Sequence, residues 1–104
     1  MSGSSLVYVT FPSKAEAERV AGTVLAERLA ACVNILAPCI SIYRWEGRTE
    51  RSEEVPALFK TRATAARRLT ARIAELHSYE LPVIESWSVT ASDAAAAWIE
   101  AETR

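Results

Sequence analysis

The sequence is poor in the residues that most often announce a specialised chemistry. One histidine and two cysteines stand in 104 residues. No Cys-x-x-Cys pair occurs, and no second histidine exists to complete a zinc cage within one chain. No Gly-x-Ser-x-Gly elbow and no glycine-rich phosphate loop occur, so nucleophilic and phosphoryl-transfer catalysis lack their usual parts. An excess of charge is missing too: Lys+Arg is 12 and Asp+Glu is 13, for a net charge of -1. A general nucleic-acid binder carries a basic excess, so nucleic acid is not an expected partner. The longest uncharged run, Leu29 to Tyr43, holds Asn34 and Pro38 and falls short of the ~20 residues of a membrane helix. Met1 to Ser5 has neither the basic region nor the apolar run of a secretory signal. The expectation is a cytoplasmic protein without a membrane segment, its Cys32 and Cys39 free thiols. On one extended strand those two residues stand too far apart to bridge each other.

What is present describes a globular domain. Half the residues are hydrophobic and 24% are charged, which excludes a disordered chain. The length predicts a single domain over 1–104, with 1–5 flexible, and a chain this long buries roughly two thirds of its unfolded surface. A charge near zero leaves little self-repulsion against subunit association.

Periodicity supplies the elements. Leu6 to Phe11 reads as a strand. Ser13 and Glu16 have capping-box spacing, and Ala17, Val20, Ala21, Val24 and Leu25 then mark one helical face, ending near Leu29 or Ala30. Cys32 to Trp45 reads as a long strand bent at Pro38, and Glu46-Gly47-Arg48 as a hairpin tip. The returning strand runs from Arg48 to Thr61, where Pro56 implies an edge or a bulge. Thr61 to Thr64 caps a second helix marked by Ala66, Leu69, Ile73 and Leu76. His77 to Glu80 is a loop, 82–89 a fourth strand, and Ser92-Asp93 caps a last helix to Glu102. The order predicts an α+β fold, the ferredoxin-like βαββαβ arrangement with an antiparallel sheet and an additional C-terminal helix.

Both parities of the strands carry bulky apolar groups. Leu6 and Tyr8 oppose Val7, Val9 and Phe11, and Val83, Trp87 and Val89 oppose Ile84. Crossover helices cover one sheet face, and one short terminal helix is too small for the other, so self-association is expected.

Three stretches taken together resemble a known family. They are Leu29-Ala30-Ala31-Cys32-Val33-Asn34-Ile35, Tyr43-Arg44-Trp45-Glu46-Gly47, and Phe59-Lys60-Thr61 followed by His77-Ser78-Tyr79-Glu80-Leu81-Pro82. Their order and spacing are similar to those of the CutA family, the divalent-cation tolerance proteins, from Val7 to about Trp98. The resemblance implies a homotrimer with an architecture similar to the PII signalling proteins. It also implies a link to copper and other divalent cations, with no obligatory cofactor. The chain departs from the family pattern at Ser78, Val83, Pro56 and Thr90 to Asp93. Val9 and Leu76 stand where some relatives offer a cysteine and a second histidine.

The candidate site residues follow. His77 suits Cu(II), Zn(II) or Ni(II), with Glu75 or Glu80 in support, but is equally placed as a helix C-terminal residue. Cys32 is a possible soft-metal ligand, though its apolar strand favours packing. Trp45, Lys60, Tyr79 and Glu80 form a second constellation, the aromatics able to stack on a ligand and Lys60 to bind an anion. Glu85 joins them because it shares a strand face with Val83, where relatives place an acid. Hairpin arm and 77–80 loop are expected to lie apart in one chain, so Tyr79 and Glu80 should meet Trp45 or Lys60 of a neighbour. The plainer alternative makes Trp45 and Tyr79 interface anchors. Glu53-Glu54 reads as a solvated edge. The favoured function is a trimeric, non-catalytic divalent-cation (copper) binding or tolerance protein. The alternative is a PII-like sensor that binds a small ligand between subunits and signals to a protein partner.

Overall fold

The computed structural model describes residues 3–104. Its order is β1 Gly3–Phe11, α1 Lys14–Ala26, β2 Cys32–Ile35, β3 Cys39–Trp45, β4 Arg48–Arg62, a 3-10 turn Ala63–Ala65, α2 Ala66–Leu76, β5 Ile84–Thr90 and α3 Asp93–Glu102. The sheet runs β2-β4-β1-β5, every pairing antiparallel, with β3 on β4 beyond a gap at 36–38. This is the expected ferredoxin-like arrangement, with the second strand divided in two. The core lies on one sheet face, where Val7, Val9 and Phe11 of β1 and Val55, Ala57 and Phe59 of β4 meet Ala17, Val20 and Val24 of α1 and Leu69 and Ile73 of α2. No helix among the described residues is long and apolar enough to cross a membrane.

The gap explains Pro56, which sits in a strand paired on both sides. The Leu36 N–H donates to the Pro56 carbonyl at 2.9 Å, so that edge of Pro56 faces the gap. A strand residue's N–H and C=O point the same way, so the missing donor falls where no strand asks for one. Cys39 pairs with Glu54 and Cys32 with Lys60, six residues apart along β4, about 20 Å at strand rise, so the two free thiols do not meet.

Several boundaries differ from the sequence reading. Met1 and Ser2 lie outside the described residues. Residues 3–5, expected to be flexible, open β1, with Gly3 opposite Thr90, and Ser4 and Ser5 are buried. α1 stops at Ala26, before Leu29, because Arg28 turns left-handed at φ 60. Leu29 N–H then reaches Val24 C=O and Arg28 N–H reaches Leu25 C=O, closing a Schellman end without glycine. The Arg28 guanidinium holds it there, donating to the Arg104 and Ala101 carbonyls at 2.9 and 2.6 Å. Residues 61–64 do not cap α2: β4 runs on through Arg62, and α2 begins at Ala66 with no side-chain cap. The last strand starts at Ile84, and Leu81 to Val83 stay outside the sheet.

β3 and the first half of β4 form an arm closed by Glu46 (φ 51) and Gly47 (φ 79), the two left-handed residues of a tight hairpin turn. It stretches the molecule to 45 × 23 × 23 Å. On the arm Ile40 and Ile42 are exposed on one side and Tyr43 and Trp45 on the other. A two-stranded ribbon is marginal alone in water, so the arm calls for a surface to lie on.

Candidate functional site

The second sheet face follows from strand alternation. Even-numbered residues of β1 and β4 point away from the helices, and their cross-strand partners join them. Rows run Cys32–Lys60–Leu6–Trp87 and Asn34–Leu58–Tyr8–Glu85, then Pro56–Thr10 and Cys39–Glu54. The arm prolongs this face through Ser41, Tyr43 and Trp45.

Over it stands the 77–83 segment, fixed by three side chains. His77 ends α2, its side chain fully buried. Its ring stacks on Phe11 with centroids 4.7 Å apart and planes at 12°. Nδ1 accepts the Tyr79 N–H at 3.1 Å, so Nε2 carries the proton and donates to the Thr10 carbonyl at 2.8 Å. Ser13 caps α1 by accepting the Glu16 N–H at 3.1 Å. The Glu16 carboxylate, expected to close a capping box, instead accepts the Ser78 N–H at 3.0 Å and lies 3.6 Å from His77 Nδ1. The Tyr79 hydroxyl donates to Glu54 Oε2 at 2.7 Å. Burial pushes the Tyr79 phenol above its ordinary value, and the Glu54 carboxylate raises it further, so it is a neutral donor. Tyr8 is raised for the same leading reason, with Cys39, Glu54 and Glu85 adding to it.

Between the segment and the arm lies a groove of about 550 Å³. Tyr8, Tyr43, Trp45 and Tyr79 supply its rings, Leu81 and Val83 its apolar wall, and Glu54, Glu80 and Glu85 its carboxylates, with Arg44 the one cation among its lining residues.

The structure therefore brings Trp45, Tyr79, Glu80 and Glu85 into one groove of a single chain, where the sequence reading needed two chains to bring Trp45 and Tyr79 together. Lys60 is not part of it; it stands in the Cys32–Lys60–Leu6 row, about 20 Å along β4 from Glu54. Glu54, read as a solvated edge, is only 7% exposed and is the groove's innermost carboxylate. Strand parity carried back from Leu58 through Pro56 places it on this face. Cys32 is half-buried in β2, outside the groove. Both His77 nitrogens already have partners, so a metal there must displace one of them. Among the described residues no group of three or more His, Cys, Asp or Glu is placed to hold a metal ion.

The family model for the CutA1 divalent ion tolerance protein matches residues 5–102. The divalent-cation tolerance protein CutA of Pyrococcus horikoshii is 47% identical over 79 residues, 76% of each chain. The chloroplastic protein CutA of Arabidopsis thaliana is 34% identical over 102 residues, 97% of this chain and 56% of that one. The chain spans about half the length of that plant relative and of the Oryza sativa one. Among solved structures, the divalent ion tolerance protein CutA1 of Ehrlichia chaffeensis superposes with a TM-score of 0.94 at 30% identity, covering 100% of this chain and 98% of that one.

Proposed function

Because this chain belongs to the CutA1 divalent ion tolerance protein family, we propose that it serves in tolerance of divalent cations as a homotrimeric, non-catalytic binding protein. The observation that carries the assembly is the uncovered apolar surface. Trp87 is 47% exposed on the sheet's second face and Ile42 68% exposed on the arm, and Ile40, Tyr43, Trp45, Leu81 and Val83 are exposed with them, a concentration of large apolar side chains at the surface that marks an interaction site. Free Cys32 and Cys39 favour a reducing compartment, and we place the protein in the cytoplasm on that ground.

Copper is the proposed metal, bound weakly. The one imidazole is His77, and Glu16 lies 3.6 Å from its Nδ1. These two donors suit Cu(II), but coordination must displace the Tyr79 N–H and open the 77–80 loop. Titration of Cu(II) into the protein and into His77→Gln tests this. Glutamine keeps a donor for the Thr10 carbonyl, so the variant should lose the metal and keep its assembled mass. Unchanged binding in His77→Gln moves the metal to Cys32, Cys39 or surface carboxylates.

A second reading has its own observation. A groove of about 550 Å³ with four aromatic side chains is within the usual size range for small-molecule sites. It supports a PII-like sensor that takes up a small ligand and passes the signal to a partner.

A further inference from the structure

We propose that the arm of one copy seats its Ile40–Ile42 side in the groove of the next copy, where Arg51 of the arm pairs with Glu54. This rests on the homotrimer proposed above and assigns the two surfaces that meet in it. A ring of three copies closes only through a contact between two different patches, both carried by every chain.

The groove is one patch. Its wall of Leu81 and Val83 is exposed, and Glu54, Glu80 and Glu85 have no ion pair among the described residues. The other patch is the reverse side of the arm. Alternation sends Ile40 and Ile42 of β3 to that side, with Glu53 and Arg51 of β4 directly across from them. Arg51 is exposed and has no ion pair among the described residues, and Glu53 lies nearer the arm's root. Arg44 already borders its own chain's groove, and Arg48 lies 4.0 Å from Glu50, so Arg51 is the guanidinium the arm has to offer. An apolar ridge beside a cation thus complements an apolar, acidic groove.

Glu54 sets the point of contact. Within one chain it accepts the Tyr79 hydroxyl at 2.7 Å and is nearly buried. Covering the groove removes its remaining water, and a carboxylate out of water is costly without an opposite charge. The planar fork of an arginine carried in by the covering chain supplies that charge. The arm is long enough: the 7 residues of β3 span about 20 Å, against about 15 Å across four paired strands. A groove filled in this way is closed to a small ligand, so the inference favours the tolerance reading over the sensor reading.

Substitutions at two exposed positions test the contact without entering the core. Ile42→Asp spoils the arm and Val83→Asp spoils the groove. Each variant alone should run as single chains at micromolar concentration. Mixed one to one, they retain one intact contact, the arm of the Val83→Asp chain in the groove of the Ile42→Asp chain. Light scattering of the mixture should then give twice the mass of one chain. In that mixture, Arg51→Gln on the chain with the intact arm should weaken the pair about tenfold. Glu54→Gln on the chain with the intact groove keeps an acceptor for Tyr79 and should do the same, and both together should cost no more than one alone. A mixture that stays at the mass of one chain, or a single variant that keeps the parent's mass of three chains, overturns the contact and leaves the homotrimer standing. Losses that add overturn the Arg51–Glu54 pair. A parent protein that is itself a single chain overturns both the contact and the homotrimer.

Discussion

His77→Ala should destabilise each chain by about 3 kcal/mol, a large effect for a residue outside the sheet and the helix interiors. The imidazole fills the space beside Phe11 and satisfies two backbone groups, the Thr10 carbonyl and the Tyr79 N–H. Truncation leaves both without partners and opens a cavity against the ring, and a buried unsatisfied backbone group alone costs about 1–3 kcal/mol. Denaturant unfolding at fixed protein concentration measures the loss. His77→Gln should recover part of it, because its amide can still donate to Thr10. The Tyr79 hydroxyl bond to Glu54 should loosen as well, so the alanine variant is expected to show faster amide exchange at 78–80. A variant as stable as the parent would mean that the histidine is not the strut of this segment.

Trp87→Asp should reduce the assembly to single chains at micromolar concentration. Trp87 lies in the row Cys32–Lys60–Leu6–Trp87 and supports nothing in its own chain's core. Its removal should therefore leave the far-ultraviolet spectrum intact. In a symmetric trimer the same substitution strikes every interface. A truncated tryptophan hot spot costs about 2 kcal/mol or more per contact, and a desolvated aspartate adds several more. Size-exclusion chromatography with light scattering reads the result. An unchanged mass would place Trp87 outside the interface.

The topology was legible because the hydrophobic period switches cleanly between about 3.6 and 2, and the Ser13 cap and the Gly47 turn stand where the chain reverses. What the residues hid was distance along strands. Lys60 and Glu54 belong to one strand of 15 residues, and spacing alone did not show that this strand separates them by about 20 Å. The same length brings the arm past the 77–83 segment, so Trp45 and Tyr79 share a groove within one chain. An adjacent glutamate pair looks solvated in sequence, although strand parity sets Glu54 on the groove face and Glu53 on the other. His77 suits a metal or a helix end by residue type and position, and it does end α2, but its partners are backbone groups that sequence spacing does not reveal. The end of α1 carries no glycine signal, because an arginine takes the left-handed position, held by carbonyls from the far end of the chain.

In the proposed homotrimer, further copies of this chain cover the open sheet face and the arm. Sedimentation equilibrium of the unmodified protein at micromolar concentration tests it most directly. The expected mass is three times the 11.4 kDa of one chain, unchanged on tenfold dilution. A mass of 11.4 kDa would contradict it, leaving Ile42, Trp45 and Trp87 in water with no partner of their own kind.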